Sequence, residues 1–316
     1  MKHIKYFLIL LALIIVAVIA LNYINSKPKK AKQNPFEYNV DEFKNVDPAL
    51  VHYSEVRQIR VKLEGKAGIA SYNGNIYLAA NSQVSVIATD GRLISRFNVK
   101  PDTRAIAINN EFIAVAYGKN FEVYKHSGEL EFTAQPVSEN SEFTSIAFWN
   151  HEIVVADAGT RRLYVFEKNE MVSEIEGISG TTTSHGFIVP SARFDLAVNA
   201  ENELWVVNPG IHSLQQYTRR GALSTSWKKA SLSIEGFSGC CNPAQIAMLP
   251  DGNIVTSEKN IPRIKVYSPN GELISVVAPP DVFGNNVEAS EVATIGETIV
   301  ALDTEQEVIR IFEKKE

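Results

Sequence analysis

One short pattern recurs six times after residue 57, and it constrains the fold more than any other feature of the sequence. Each unit has a strand-like segment centred on an aliphatic residue followed by alanine, a second aliphatic segment, a polar loop and a third segment. The units are spaced roughly 37 to 50 residues apart, as in propeller blades. Their first segments are centred on Ile69-Ala70, Ile106-Ala107, Ile146-Ala147, Leu196-Ala197, Ile246-Ala247 and Val292-Ala293.

A single unit of this kind could not bury both faces of its own sheet. Radial stacking of six four-stranded blades buries those faces and leaves few exposed strand edges. The last unit ends after its third strand, whereas residues 56–63 (VRQIRVKL) precede the first unit and alternate as a strand does. The sequence therefore predicts an all-β, six-bladed β-propeller in which an N-terminal strand closes the last blade.

Two of the units resemble a known family. Residues 246–274 (IAMLPDGNIVTSEKNIPRIKVYSPNGELI) look like an NHL repeat, and residues 153–166 (IVVADAGTRRLYVF) are similar to its strand, polar loop and strand. The resemblance covers roughly residues 57–315 and implies an NHL-type six-bladed propeller. It implies little about activity, because propellers host many unrelated functions.

The N-terminus carries an apolar segment, residues 6–23, without any charged side chain. About 18 helical residues reach roughly 27 Å, which is close to the thickness of a bilayer core. The run is longer than the core of a usual signal peptide, and no A-x-A-like cleavage site follows it. We expect residues 1–26 to be a retained transmembrane signal anchor, with a cleaved signal peptide as the less favoured alternative.

The charge distribution divides the chain and argues against nucleic-acid binding. Residues 1–32 carry six lysines, and all 36 acidic residues lie after them. Nucleic-acid surfaces need clustered basic residues, and the propeller region is acidic overall. We expect residues 27–55 to be a polar stalk and residues 56–316 to form the propeller. We place the propeller outside the membrane, in the periplasm or on the cell surface, because large domains translocate largely regardless of nearby lysines.

Blade topology places two classes of loop on one face, namely the loop leading into each first strand and the loop between second and third strands. Four polar residues end second strands near this face, and oxygen ligands of this kind suit Ca²⁺. Gluconolactonase-like propellers, which the chain resembles in architecture, use a similar set. The alternative is that each side chain caps its own loop, in which case we expect no cofactor. The four residues to which both interpretations apply are Asp157, Asn208, Glu258 and Asp303.

The segment GFSGCCNPAQIA, residues 236–247, leads into the fifth blade on this face and contains both cysteines of the chain. Cys240 and Cys241 could form a strained vicinal disulfide. They could instead bind a soft metal with help from His185 or His212, or one thiol could pack as a small hydrophobe.

Further polar residues are expected on the same rim, where blades four and five meet. The candidate ligand-binding residues are Cys240, Cys241, Asn242, His185, Arg193, Arg263, His212 and Arg104. No nucleophile elbow, phosphate loop or HExxH helix occurs. The sequence thus favours a membrane-anchored binding or scaffold module for a protein or small anionic ligand over an enzyme. A metal-dependent hydrolase or lyase of the gluconolactonase-like kind, and an accessory protein in redox or metal handling, are the alternatives.

Overall fold

The computed structural model describes residues 2–26, 43–178 and 186–316. Its strands form six antiparallel four-stranded sheets. The first strands of neighbouring sheets contact one another in a closed ring, so the sheets are the blades of a six-bladed β-propeller. The six-bladed all-β fold expected from the sequence is confirmed.

The strands of the first three blades run in chain order from the channel outward. Blade 1 contains β2 (Gly68–Tyr72), β3 (Asn75–Ala80), β4 (Gln83–Ala88) and β5 (Leu93–Asn98); blade 2 contains β6 (Ala105–Ile108), β7 (Phe112–Ala116), β8 (Phe121–Lys125) and β9 (Leu130–Thr133); blade 3 contains β10 (Phe143–Trp149), β11 (Glu152–Asp157), β12 (Arg162–Glu167) and β13 (Glu170–Ile175).

Blades 4 and 5 follow the same order, whereas blade 6 takes its outer strand from the beginning of the domain. Blade 4 contains β14 (Leu196–Val198), β15 (Leu204–Asn208), β16 (Ser213–Tyr217) and β17 (Leu223–Lys228); blade 5 contains β18 (Gln245–Met248), β19 (Ile254–Glu258), β20 (Arg263–Tyr267) and β21 (Leu273–Ala278); blade 6 contains β22 (Glu291–Ile295), β23 (Thr298–Asp303), β24 (Val308–Lys314) and β1 (Tyr53–Arg60).

The ring is closed by β1, which pairs antiparallel with β24 from Tyr53 opposite Lys314 to Arg60 opposite Val308. This pairing confirms the expected closure, although the strand begins three residues earlier than the predicted segment 56–63. Part of the expected stalk, residues 27–42, lies outside the described residues. The rest of it, residues 43–55, falls within the compact unit Phe43–Glu316 and includes the start of β1.

In the N-terminal unit, the described residues 2–26 form one helix, α1 (Lys2–Ser26). Its segment His3–Asn22 has 20 residues and a mean hydropathy of 2.9, which is long and apolar enough to cross a membrane. A secretory signal sequence has the same properties. The helix expected at the N-terminus is therefore confirmed.

The core lies between the blades. The second strands are nearly continuous aliphatic runs, such as Ile153 to Ala156 in β11, because neighbouring blades cover both of their faces. The outer strand β5, in contrast, is exposed along most of its length. Each buried hydrophobic cluster fills one interface between adjacent blades; one example joins Val207 and Trp205 of blade 4 to Ile246 and Tyr267 of blade 5.

The first strands approach closely enough around the channel to restrict residue size. A Cβ atom added to Gly68 of β2 would lie 2.7 Å from the Cα atom of Ala105 in β6. Only glycine fits there without moving the backbone of the neighbouring blade. The close approach of Gly68 to Ala105 thus sets the distance between β2 and β6 at this end of the channel.

Candidate functional site

The polar residues that end the second strands are buried within their own blades. Asp157 shows the pattern: its Oδ1 accepts hydrogen bonds from the backbone nitrogens of Glu142 (2.7 Å), Gly159 (2.9 Å) and Thr160 (3.2 Å). Asn208 accepts a bond from the backbone nitrogen of Ile188 (2.9 Å). Asp157 therefore caps the loop that follows it, as the alternative interpretation of the sequence expected, whereas Asn208 binds the loop that enters its blade.

The other two acids of the predicted calcium set are held by buried cations. Glu258 lies 2.7 Å from Arg263 Nη2 and 2.7 Å from Lys265 Nζ. Asp303 Oδ2 lies 3.2 Å from Arg310 Nη2. Within residues 2–26, 43–178 and 186–316, no group of three or more His, Cys, Asp or Glu side chains could hold a metal ion. Asp157, Asn208, Glu258 and Asp303 therefore do not fit a shared Ca²⁺ site.

The same geometry corrects the expectation for Arg263, which is fully buried and cannot contact a ligand at the surface. Its guanidinium and the Lys265 ammonium lie beneath residues 229–237. Lys265 Nζ donates to the carbonyl oxygens of Ile234 (3.0 Å) and Gly236 (2.7 Å). Burial lowers the pKa of Lys265 to about 8, although Glu258 opposes the shift. Arg263 and Lys265 thus hold this loop against blade 5.

The site that the structure does form is the mouth of the central channel. One cavity of about 280 Å³ lies on the face that carries the loops between second and third strands, and a second of about 230 Å³ continues between the first strands. Both are lined by Thr144, Gln245 and Glu291. Each blade contributes at least one polar residue to the lining of the outer cavity, which we call the channel mouth. These polar residues are Lys66, Arg104, Thr144, Arg193, Gln245, Glu291 and Thr304.

Two carboxyl groups lie where the mouth narrows into the channel. Glu291 Oε1 accepts a bond from Gln245 Nε2 (2.6 Å) and lies 3.7 Å from Arg193 Nη1. Asp195 Oδ2 accepts a bond from the backbone nitrogen of Ile246 (2.6 Å), which ties blade 4 to blade 5. Both acids begin or precede first strands, so the closed ring of strands fixes their positions.

The surroundings of these two carboxyl groups raise their pKa values towards neutrality. Burial raises the pKa of Glu291 to about 8, and the charge of Asp195 adds to the shift while Arg193 opposes it. Burial also raises the pKa of Asp195 to about 6, against hydrogen bonds from Ser145 and two backbone nitrogens. Near neutral pH, the mouth therefore holds one protonated carboxyl group beside one that is mostly ionised.

We expect a pH dependence of stability from Glu291. Its ordinary pKa is 4.5, and its pKa in the folded protein is about 8. Between these values the folded state keeps a proton that the unfolded state has released, so the free energy of unfolding falls as pH rises through this window. The glutamine of Glu291→Gln has no proton to release in this range, so the free energy of unfolding of this variant should fall less steeply with pH. Urea unfolding at about pH 5, 7 and 9 measures the effect.

The matched control for this measurement is Glu297→Gln, which changes an exposed glutamate of the same blade. In this variant the free energy of unfolding should fall with pH as steeply as in the wild type between about pH 6 and 8. Titration of Asp195 no longer dominates the pH dependence in that range. Equal slopes for wild type and Glu291→Gln would contradict the assignment.

The arginines of the channel mouth are paired with carboxylates at its edge. Arg104 Nη1 lies 2.8 Å from Glu142 Oε1, and Arg193 Nη2 lies 2.6 Å from Glu288 Oε2. The glutamate side chains are 38% and 44% exposed, respectively, so these pairs are solvated on one side. Exposed pairs contribute little energy, and a ligand could displace them. The sequence correctly placed Arg104 and Arg193 on this face.

Cys240 and Cys241 are not among the residues that line the channel mouth. Cys240 is exposed, Cys241 is buried, and both are free thiols whose Sγ atoms lie 3.3 Å apart. Asn242 is fully buried and donates to the backbone, and His212 Nδ1 lies 3.0 Å from the Asn242 carbonyl oxygen. Asn242 therefore holds the loop through its side-chain amide, and His212 contacts the loop backbone through Nδ1. His185 lies outside the described residues.

Six residues of the site were not identified from the sequence, and the repeat contained a signal for the last three of them: Lys66, Thr144, Thr304, Asp195, Gln245 and Glu291. Gln245 and Glu291 stand directly before the aliphatic-alanine pair of their units, and Asp195 stands there in blade 4. The equivalent positions in the other blades are occupied by small residues. In ring order the set is Gly68, Ala105, Ser145, Asp195, Gln245 and Glu291.

Comparison with solved structures shows which known proteins share this fold. Virginiamycin B lyase from Staphylococcus aureus matches with a TM-score of 0.58 and 15% identity, over 82% of this chain and 99% of that chain. A catalytically inactive variant of that lyase with Quinupristin matches at 0.56 and 15%, over 82% and 99%. A streptogramin B lyase matches at 0.57 and 12%, over 83% and 98%.

The sequence comparisons give no further assignment. No family model matches the chain, and no curated protein matches it either. At identities of 12–15%, the structural matches show a shared propeller fold alone. The chain is a six-bladed β-propeller whose structural neighbours include propellers of the virginiamycin B lyase type.

Proposed function

We propose that this chain is a membrane-tethered, NHL-type propeller that binds a small molecule or a peptide segment in the channel mouth. One observation carries the proposal: every blade contributes a polar residue to the lining of the same cavity. Binding sites combine a concave surface with a few convergent polar groups, and a volume of about 280 Å³ suits a small ligand or a short side-chain-sized group.

The side chains favour a ligand with an anionic group beside a hydrogen-bonding group. An incoming carboxylate or phosphate can replace Glu142 on Arg104, or Glu288 on Arg193, because both glutamates are partly exposed. Charge-assisted bonds to arginine are stronger than neutral ones and have fixed geometry. Gln245 and the carboxyl group of Glu291 then face the uncharged part of the ligand.

The membrane tether is the second part of the proposal. The segment His3–Asn22 has the length of a bilayer span, and Lys2 and Lys5 stand before its uncharged part, which begins at residue 6, as in a signal anchor. A large domain after such an anchor is translocated largely regardless of the lysines beside it. We therefore assign the propeller to the periplasm or the outer cell surface, with the membrane as one partner.

Binding can be tested by thermal shift with the full chain in detergent, using a panel of small carboxylates and phosphate esters as probes. A probe that occupies the mouth should raise the melting temperature of the wild type. Arg193→Ala should weaken its affinity about tenfold or more, because a hydrogen bond to a charged group contributes about 1.5–3 kcal/mol. The matched control is Arg219→Ala, which removes another arginine paired with a glutamate.

Equal affinities in the Arg193→Ala and Arg219→Ala variants would contradict binding at the channel mouth. A probe that stabilises the wild type and both variants equally would have to bind elsewhere.

An enzymatic role is the second candidate, and the two carboxyl groups favour it. Asp195 and Glu291 have pKa values raised towards neutrality within a concave site, as expected for groups that exchange protons with a substrate. The structural neighbours include lyases, which fits a lyase or hydrolase reaction. Consumption of a stabilising probe by the wild type, abolished in Glu291→Gln, would favour this candidate over simple binding.

A further inference from the structure

The two cysteines form a pair that the channel mouth does not use. Cys240 is exposed, Cys241 is buried, and their Sγ atoms are 3.3 Å apart. A disulfide bond is about 2.05 Å long. The sulfurs therefore already lie side by side, and a bond between them needs a movement of little more than an ångström.

The backbone on both sides of the pair is anchored, so the two thiols stay together. Asn242 donates from Nδ2 to the carbonyl oxygens of Ser238 (2.7 Å) and Lys259 (3.0 Å), and its Oδ1 accepts from the Lys259 nitrogen (2.9 Å). Cys241 itself has φ +69°, a left-handed conformation that a side chain other than glycine rarely adopts. Such strained positions persist where surrounding contacts hold them, and they concentrate at functional sites.

A hydroxyl group beside the buried thiol is suited to the ionised form of that thiol. The Ser191 hydroxyl is buried and makes no hydrogen bond of ordinary geometry within the described part of the chain. It nevertheless lies close enough to Cys241 to favour a thiolate there, as does the charge of Lys259. Burial acts in the opposite direction and raises the pKa of the Cys241 thiol.

A soft-metal site at the pair would need further ligands. In the described ranges, the two thiols belong to no group of three or more His, Cys, Asp or Glu side chains that could hold a metal ion. His212, which the sequence suggested as a further ligand, contacts the Asn242 carbonyl oxygen through Nδ1. These contacts favour sulfur–sulfur chemistry over metal binding.

We propose that Cys240 and Cys241 form a reversible dithiol–disulfide site that exchanges electrons with a small disulfide compound. This site is separate from the channel mouth and does not depend on what the mouth binds. The exposed Cys240 reacts first, and the buried Cys241 completes the exchange.

The exchange proceeds in two balanced steps. The thiolate of Cys240 attacks one sulfur of the partner's disulfide, forming a mixed disulfide and releasing the other sulfur as a thiolate that takes up a proton. The thiolate of Cys241 then attacks Cys240 Sγ, forming the Cys240–Cys241 bond and releasing the second partner thiol. Two protein thiols are oxidised, one partner disulfide is reduced to two thiols, and the reverse sequence regenerates the dithiol.

The test uses the full chain in detergent, reduced and then equilibrated in mixtures of oxidised and reduced glutathione. The samples are acid-quenched and unfolded, and free thiols are then trapped with an alkylating reagent and counted by intact mass. We expect two alkylated thiols in reducing mixtures, and none in oxidising mixtures, with a mass lower by two hydrogens and no retained glutathione. Cys241→Ser should keep glutathione on Cys240 at least about tenfold longer than the wild type, because no second thiol resolves the mixed disulfide.

Cys240→Ser provides the matched control, because its one remaining thiol is buried and should be alkylated fully only after unfolding. Melting temperatures of both variants report whether the fold is retained. Two results would overturn the proposal: retention of glutathione by the wild type for as long as by Cys241→Ser, or two free thiols at every glutathione ratio. Stoichiometric binding of Zn²⁺ or Cu(I) alone to the reduced wild type, lost in Cys240→Ser and unaccompanied by disulfide formation, would also overturn it by assigning a metal site.

Discussion

Replacing Glu258 with alanine is expected to lower the free energy of unfolding by about 3–5 kcal/mol. Glu258, Arg263 and Lys265 are all fully buried, and the carboxylate lies 2.7 Å from each cation. Removing it leaves two positive charges in the interior of blade 5 without a counter-charge. Breaking such a group by removing one partner is strongly destabilising, because the desolvation cost of the remaining charges is no longer offset.

Urea unfolding of the full chain at about pH 7 measures this loss. Glu272→Ala, which removes an exposed glutamate from the same blade, should change the free energy of unfolding by no more than about 0.5 kcal/mol. The double variant Glu258→Gln with Lys265→Met should be more stable than Glu258→Ala. One uncompensated cation is then gone, and the glutamine can still accept a bond from Arg263.

A loss below about 1 kcal/mol in Glu258→Ala would contradict the buried ion group. A larger loss together with easier proteolysis of residues 229–237 would fit the contacts seen here. The carbonyl oxygens of Ile234 and Gly236 in that segment depend on Lys265. The loop would therefore loosen when the ion group is broken.

The fold could be predicted because its signal is local and repeated. An aliphatic residue followed by alanine marks each first strand, and the spacing of these pairs gives six blades. The closing strand was predictable for a similar reason, since the last unit lacked an outer strand and residues 56–63 alternated. Its start at Tyr53 depends on the pairing with Lys314, which joins distant parts of the chain.

The four residues of the candidate calcium site were misinterpreted because their cross-strand partners were not considered. Glu258 stands directly opposite Arg263 in the β19–β20 hairpin, and Asp157 stands opposite Arg162 in β11–β12. Facing residues in a hairpin can form cross-strand pairs, so the hairpin register could have indicated a partner for Glu258. Without that step, the acids looked like a ring around the channel.

The channel mouth was harder to predict, because its residues come from six different blades. Arg193 and Glu291 are nearly a hundred positions apart, and only the closed ring brings them within 3.7 Å. Their shared position relative to the first strands was visible in the sequence, but the raised pKa values of Asp195 and Glu291 arise from burial. The burial of these two carboxyl groups depends on how the blades pack against one another, and the sequence repeat alone does not specify that packing.

Arg310→Ala should open the ring at its closure and lower the free energy of unfolding by about 3–5 kcal/mol. Arg310 of β24 is nearly fully buried. Its guanidinium lies 3.2 Å from Asp303 Oδ2 in β23 and donates from Nη1 to Glu55 Oε1 in β1 (2.9 Å). One side chain thus joins the closing strand to the two strands beside it, and its loss leaves the buried Asp303 carboxylate without its cation.

The matched control for this second prediction is Arg60→Ala, because Arg60 is an exposed arginine at the end of β1. It should cost no more than about 0.5 kcal/mol in urea unfolding. The loss of stability in Glu55→Ala should lie between those of Arg310→Ala and Arg60→Ala. The Glu55 side chain is 23% exposed, so water can replace part of its contact with Arg310.

Limited proteolysis gives a second measurement of the closure. If closure depends on the Arg310 contacts, Arg310→Ala should be cleaved faster than Arg60→Ala within residues 53–60. Equal stability and equal cleavage of Arg310→Ala and Arg60→Ala would show that backbone pairing between β1 and β24 closes the ring without the buried ion group.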